Sequence, residues 1–106
     1  MLCLGATEIA PARAQAPSSD QALVEALRRG GYNIYFRHAA TDWSLEDKVL
    51  RKGDWTSCDP QRIWQLAPDG RAVAARIGRA IRRLGIPVAG VFASDYGRTQ
   101  ETARLM

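Results

Sequence analysis

Apolar residues along this chain of 106 residues fall into short blocks, and the spacing within each block indicates its secondary structure. A first helix carries Leu23 and Leu27 on one face, with N-cap candidates at residues 18–20. Gly30-Gly31 ends that helix. Residues 34–36 then form an apolar run with alternating bulk, which predicts a short buried strand.

A second helix and a second strand follow in the same way. Pro68 suits a first helical position, and the residues after it repeat an apolar side chain at steps of four, four and three. This apolar stripe consists of Val73, Ile77, Ile81 and Leu84. Gly85 and Pro87 end the helix before the apolar run 88–93, which predicts the second strand.

The order strand, helix, strand predicts a right-handed parallel crossover and therefore an α/β fold. Parallel strands joined in this way have their carboxyl ends at one edge of the sheet. Arg37 and His38 follow the first strand, and Ser94 and Arg98 follow the second. We therefore expect these four residues in one pocket, beside a helix that begins near Tyr96 and directs backbone N–H groups at the same place.

The residue types in this pocket suit phosphate chemistry. Each guanidinium can donate forked hydrogen bonds to a tetrahedral oxyanion, and an imidazole between two such groups can attack phosphorus. A single histidine at a strand end is, taken alone, more often a hydrogen-bonded structural residue than a nucleophile. It is the second cluster, at the end of the other strand, that favours catalysis by His38.

Residues 42–60 are polar and irregular, so we predict a long loop. A loop of this length in a small domain is usually functional, and we expect it to lie across the mouth of the pocket. Its carboxylates include Asp42, Glu46 and Asp47, and their spacing selects none of them as a catalytic acid. The three tryptophans Trp43, Trp55 and Trp64 either form the lid or floor of the pocket or pack as ordinary core residues.

Composition limits the other classes of function. The chain is 46% hydrophobic and 25% charged, which is ordinary for one small soluble domain. Its net charge of +4 comes from cations scattered along helices rather than gathered in a block, so we do not expect nucleic-acid binding. Cys3 and Cys58 have no partners at metal-ligand spacing, which disfavours a zinc site and a disulfide framework.

Residues 1–16 differ from the rest of the chain. They are rich in alanine and end in small-x-small sites of the kind that signal peptidase cleaves, although Glu8, Pro11 and Arg13 interrupt the apolar stretch. We interpret this segment as a truncated signal peptide, with a disordered leader as the alternative. The first interpretation predicts a periplasmic or secreted protein, and the second a cytoplasmic one.

Two motifs in this chain resemble those of the histidine phosphatase superfamily, in its phosphoglycerate-mutase-like group (branch 1). Residues 37–41, Arg-His-Ala-Ala-Thr, are similar to Arg-His-Gly-x-Thr at the end of the family's first strand. The second motif is matched in order by Ser94, Arg98, Thr102 and Ala103. Residues 66–70 resemble the family's entry into the helix between those strands, and the resemblance covers about residues 21–106.

The resemblance implies a parallel-sheet, three-layer αβα fold, with residues 17–106 as the N-terminal part of the domain and a truncation at the C-terminus. It implies that His38 is the nucleophile, that Arg37, Arg98 and Thr41 bind substrate phosphate, and that Ser94 has a supporting role. No cofactor and no metal are implied. Ala39 replaces the motif glycine, and a residue forced to positive φ there would lose on the order of 1 kcal/mol. Members of the family also use a second histidine and a carboxylic acid, and this chain has a single histidine.

We therefore expect phosphomonoester hydrolysis through a phosphohistidine intermediate, impaired by the missing half of the site. The alternative is a non-catalytic module that binds phosphate or a phosphoprotein. Either function predicts a phosphorylated small molecule or a phosphoprotein as the partner, with no nucleic acid and no membrane span. Neither selects a particular substrate or oligomeric state.

Overall fold

The computed structural model describes residues 19–106, which form three α-helices and one short 3₁₀ helix. The elements are α1 (Asp20–Arg28), the 3₁₀ helix (Asp54–Thr56), α2 (Pro68–Arg83) and α3 (Gly97–Leu105). The predicted leader at residues 1–16 lies outside the described part of the chain, so the interpretation of that segment stays a prediction.

The ends of the first two helices follow the local signals in the sequence. Ser19 Oγ accepts a hydrogen bond from the N–H of Ala22 at 3.1 Å and so caps α1. Gly30, with φ +76°, adopts the left-handed conformation after that helix ends. Pro68 is the first residue of α2, and Gly85, with φ +66°, follows its end. These helix boundaries confirm the sequence predictions.

The predicted sheet does not form within residues 19–106. The β-bridge in this region is an isolated antiparallel one between Thr41 and Leu66. The expectation of an α/β, three-layer αβα architecture with a parallel sheet is therefore wrong for this structure. What remains is a set of helices joined by long irregular segments.

The two apolar runs that were predicted as strands, 34–36 and 88–93, remain without regular structure. Their side chains are largely in solvent: Tyr35 is 92% exposed and Phe92 is 97% exposed. A parallel strand needs a hydrogen-bonded neighbour and cover on both faces of the sheet. Two short runs meet neither requirement, because an isolated pair of strands is at best marginally stable in water.

Helix α2 buries a different face from the apolar stripe that its sequence suggests. Val73 of the stripe is exposed, whereas Gly70, Ala74 and Gly78, at steps of four, are buried. Helix α3 packs against α2, and a Cβ atom added to Gly78 would lie 2.6 Å from the carbonyl carbon of Met106. Small residues permit this close approach of backbones, while the larger residues of the stripe lack the sheet that would have covered them.

The buried core of the described region is small and centres on the end of the loop. Ile63 is fully buried and Leu66 nearly so, with Ala26 and Ala74 as further core residues. Burial of a side chain such as Ile63 stabilises the fold by about 1.5–3 kcal/mol. Helices α1 and α2 are also joined directly, because the Nε–H of Arg28 donates to the carbonyl oxygen of Leu84 at 2.6 Å.

Two smaller expectations can be compared with the same region. No helix between residues 19 and 106 has the length and apolar character needed to cross a bilayer. Cys58 is exposed and has no disulfide partner within residues 19–106.

Candidate active site

A buried threonine ties the histidine segment to α3. The backbone N–H of Ala39 donates to Thr102 Oγ1 at 3.0 Å, and the Thr102 hydroxyl donates to the carbonyl oxygen of Arg98 at 2.7 Å. Thr102 is only 5% exposed, so both hydrogen bonds are shielded from water. They place the residue after His38 against α3, one helical turn beyond Arg98.

Helix α2 holds the same segment at the next two residues. The carbonyl oxygen of Ala40 accepts a hydrogen bond from the N–H of Ala67 at 2.9 Å. Gly70 lies so close that an added Cβ atom would be 2.9 Å from the backbone nitrogen of Ala40. Thr41, which forms the bridge to Leu66, is buried. Backbone contacts with two helices therefore set the position of His38.

The imidazole of His38 is half-buried and makes one local hydrogen bond. Its Nδ1 atom lies 2.8 Å from the carbonyl oxygen of Ala39. A carbonyl oxygen only accepts, so Nδ1 carries the hydrogen in this bond. In the neutral ring the lone pair is then on Nε2, which is the state that a nucleophilic histidine requires.

Ala39, in the position of the motif glycine, introduces no backbone strain. Among residues 19–106 a positive φ is found only at glycines, so the backbone of Ala39 lies in the ordinary region. Its N–H is engaged by Thr102 and its carbonyl oxygen by His38. The cost anticipated for a non-glycine residue at this position therefore does not arise.

Arg98 lies in the first turn of α3 and is held by aromatic and acidic side chains. Its guanidinium carbon is 4.4 Å from the ring centroid of Tyr96 and 5.9 Å from that of Trp64. Its Nη1 atom is 3.0 Å from both carboxylate oxygens of Asp47. The side chain is only 12% exposed, so these contacts fix the guanidinium in a partly desolvated position.

Arg37 reaches the same aromatic cluster from the other motif. Its guanidinium carbon lies 5.7 Å from the ring centroid of Trp43. Trp43 in turn meets Trp64 edge to face, with centroids 5.4 Å apart and an angle of 66° between the rings. The two predicted phosphate-binding arginines thus stand at opposite ends of one tryptophan pair, Arg37 in solvent and Arg98 largely buried.

The side chains of the other two predicted site residues, Thr41 and Ser94, make no hydrogen bond to this arrangement within residues 19–106. The Thr41 hydroxyl is buried and has no hydrogen-bond partner within residues 19–106. Ser94 is exposed on the segment before α3, where its carbonyl oxygen accepts from Gln100 Nε2 at 2.9 Å. Ring contacts link Arg37 to Arg98, and the Thr102 hydroxyl links the residue after His38 to the helix that carries Arg98. No hydrogen bond within residues 19–106 joins the Ser94 side chain to this group.

Two loop residues contact the arginines, Trp43 at Arg37 and Asp47 at Arg98, and Asp42 shapes the beginning of the loop. Asp42 Oδ1 accepts hydrogen bonds from the Ser44 hydroxyl at 2.6 Å and from the Ser44 N–H at 2.9 Å. The hydroxyl contact first, and the backbone contact second, lower the pKa of the Asp42 carboxyl below its ordinary value. Asp42 therefore serves as a turn-forming anion.

Asp54 organises the middle of the loop. Partial burial acts to raise the pKa of its carboxyl, but the N–H groups of Arg51 and Leu50 and the guanidinium of Arg62 together lower it. The Arg62 contact is an ion pair of 2.8 Å. Asp54 therefore stays ionised in mildly acidic solution and keeps this part of the loop folded.

Sequence reasoning did not assign roles to several residues that complete the site. Thr102 belongs to the second motif, yet its bond to Ala39 depends on how α3 packs. Asp47 was one of three loop carboxylates that spacing alone could not distinguish. For Trp43 and Trp64 the sequence left two alternatives, the lid or floor of a pocket and ordinary core packing. The structure places the two rings between Arg37 and Arg98.

A separate cleft lies away from the predicted site residues. It measures about 990 Å³, opens between the loop and α3, and includes Cys58, Gln65 and the ion pair of Arg71 with Glu101. None of the predicted site residues lines it.

The model of the histidine phosphatase superfamily (branch 1) matches residues 34–106. The chain belongs to this superfamily. Comparisons with curated proteins and with solved structures gave no match.

Membership of the histidine phosphatase superfamily agrees with the match predicted from the two motifs. The matched residues include both arginines, His38 and Thr102, and they exclude α1. The superfamily supports phosphatase-type activity on phosphorylated substrates. Within residues 19–106 there is no group of three histidine, cysteine or carboxylate side chains arranged to hold a metal ion.

Proposed function

We propose that this chain hydrolyses phosphomonoesters through a phosphohistidine formed on Nε2 of His38. The observation that carries the proposal is the 2.8 Å contact between His38 Nδ1 and the carbonyl oxygen of Ala39. It fixes the tautomer in which the other ring nitrogen has the lone pair. The substrates are phosphorylated small molecules or phosphoproteins.

The reaction has two steps. Nε2 attacks phosphorus, the N–P bond forms, and the P–O bond to the alcohol breaks, so the alcohol leaves and takes a proton from solvent or from an acid. Water then attacks phosphorus, the N–P bond breaks, and inorganic phosphate leaves with the imidazole restored. A substrate with a good leaving group depends less on protonation by a general acid in the first step.

The arginines supply the electrostatic part of this mechanism. Negative charge on the phosphoryl oxygens is stabilised by guanidinium groups that stay charged at any working pH. Arg98 is preorganised by Tyr96 and Trp64, whereas Arg37 is exposed and contacts Trp43. We therefore expect Arg98 to contribute more to phosphate affinity than Arg37.

The test is chemical trapping on the full chain. The protein is incubated briefly with an aryl phosphate that has a good leaving group, quenched in alkali, and measured by intact mass. A phosphoryl adduct that is stable in base and lost in acid is expected, because phosphohistidine is a phosphoramidate. His38→Ala should carry no adduct, and Cys58→Ser, which removes the exposed thiol, should be labelled like the wild type.

Two outcomes would refute the nucleophile assignment. An adduct of unchanged yield in His38→Ala would place the label on another residue, and an acid-stable adduct would identify an ester of serine or threonine. Phosphate binding without any adduct would favour a non-catalytic module that binds phosphate or a phosphoprotein.

A further inference from the structure

Asp47 is held in the manner of a bound anion. Its carboxylate receives a charged hydrogen bond from Arg98 Nη1, at 3.0 Å to each oxygen. The backbone N–H of Trp64 also donates to Oδ1, at 2.9 Å. A guanidinium and a backbone amide that converge on two oxygens form a small anion-binding site, which the protein's own loop fills.

The donors of this site are fixed independently of Asp47. Arg98 packs on Tyr96, and the backbone of Trp64 follows Ile63, the fully buried residue of the core. The Nε atom of Arg98 is also buried and has no acceptor among residues 19–106, so the guanidinium retains unused hydrogen-bonding capacity. The site therefore stays formed when its occupant is exchanged.

Asp47 is the movable member of the group. Its side chain is 25% exposed, and the residues around it, 46–50, lie in solvent without regular structure. The backbone next to it is attached through the Lys48 N–H, which donates to the carbonyl oxygen of Arg62 at 2.6 Å. The carboxylate carries one negative charge, so a phosphate with greater charge and more acceptor oxygens can compete with it for the guanidinium.

We infer that Asp47 is an intramolecular competitor of phosphate: its carboxylate occupies the anion site of Arg98 and the Trp64 N–H, and phosphate binds there by displacing it. This inference rests on the proposed function, because it assumes that Arg98 receives the substrate phosphate. The loop thereby lowers the affinity of the site for weakly charged anions. A substrate with a dianionic phosphate displaces the carboxylate more readily than a monoanion does.

The experiment measures the affinity of inorganic phosphate by calorimetric titration of the full chain. In Asp47→Asn the amide oxygen still accepts from the Trp64 N–H, while the charge that competes for Arg98 is gone. The dissociation constant should fall about fivefold, the ratio that corresponds to an ion pair of about 1 kcal/mol. Asp42→Asn is the matched control, since its carboxylate bonds to Ser44 in the same loop, and its affinity should equal that of the wild type.

A second measurement needs no variant. In ¹⁵N-labelled wild type, the Trp64 amide resonance should shift during the phosphate titration with the same dissociation constant. An Asp47→Asn affinity equal to or weaker than that of the wild type, or a Trp64 resonance unmoved at saturation, would overturn the inference. The weaker case would mean that Asp47 orients Arg98 instead of competing for it.

Failure of this inference is separable from failure of the proposed function. Tighter phosphate binding by Asp47→Asn, with no acid-labile adduct on His38, would refute hydrolysis and support the competition. An acid-labile adduct on His38, with no gain in phosphate affinity in Asp47→Asn, would support hydrolysis and refute the competition.

Discussion

Replacing Thr102 by valine tests whether α3 positions the histidine. Valine keeps the shape of threonine but removes the hydroxyl that accepts from the Ala39 N–H at 3.0 Å and donates to the Arg98 carbonyl at 2.7 Å. The loss leaves the partly buried N–H of Ala39 unpaired, whereas the Arg98 carbonyl oxygen keeps its helical hydrogen bond from the N–H of residue 102. We expect the segment that carries His38 to separate from α3 more often.

The size of the effect follows from the burial of the threonine. An unsatisfied buried donor costs about 1–3 kcal/mol, and Thr102 is only 5% exposed, so water cannot readily replace its hydroxyl. This range corresponds to local opening that is about 5- to 150-fold more frequent. The helical content should change little, because valine still permits α3 to form and helix boundaries depend on other residues.

Amide hydrogen exchange in ¹⁵N-labelled protein measures this local opening directly. The Ala39 amide should exchange faster by that factor in Thr102→Val, while Thr102→Ser, which retains the hydroxyl, should restore much of the protection. Thr99→Val is the matched control, because it makes the same chemical change in the first turns of the same helix. Phosphate affinity and trapping on His38 should fall together with protection.

Equal exchange of Ala39 in the valine variants of Thr102 and Thr99 would refute this reasoning. It would show that the contacts of Ala40 and Thr41 with the region around α2 hold the segment without help from α3.

Two further changes test the packing and the loop. Gly70→Ala places a Cβ atom 2.9 Å from the Ala40 nitrogen, so overpacking should lower the free energy of unfolding in urea by about 1–3 kcal/mol. Arg79→Ala, on the exposed face of α2, is the control and should change this free energy little. Similar losses in the two variants would contradict the close contact at Gly70. Because the folded pKa of Asp54 is lowered, its contribution to stability is complete above the ordinary value of 3.8 and is lost as the pH falls through the folded value. Asp54→Asn should therefore flatten the acid-side decline of the melting temperature below pH 3.8, and parallel curves for variant and wild type would contradict this.

The helix boundaries could be predicted because their signals are local. The hydroxyl of Ser19, the fixed φ of Pro68 and the positive φ of Gly85 act within one turn of the residue that carries them. The strands depended on distant partners and on cover from other layers, and neither is a property of the runs themselves. Exposed Tyr35 and Phe92 show that an apolar run without a neighbour does not become a strand.

The residues of the candidate site could be predicted where their side-chain chemistry and their motif positions identify them. Arg37, His38 and Arg98 were selected by their motifs. In the structure two tryptophans link Arg37 with Arg98, and Thr102 links the residue after His38 to α3. They were expected to meet at a shared sheet edge, and no sheet forms within residues 19–106. Contacts with α2 and α3 hold the histidine segment instead. The roles of Asp47 and Thr102 depend on the path of the chain through space, which spacing in the sequence does not give.

The buried glycines of α2 have a consequence for the evolution of insertions and deletions. Gly70 admits the backbone of Ala40, and Gly78 admits that of Met106 at the end of α3. They lie eight residues apart, so α2 separates the two contacts by about 12 Å along its axis, at about 1.5 Å per residue. One residue inserted between them would turn the second contact by about 100° around the helix axis and increase the axial distance between the two contacts by about 1.5 Å. Substitution on the solvent side of α2 is free by comparison, whereas its length between these two glycines is fixed by the separation of the histidine segment from the end of α3.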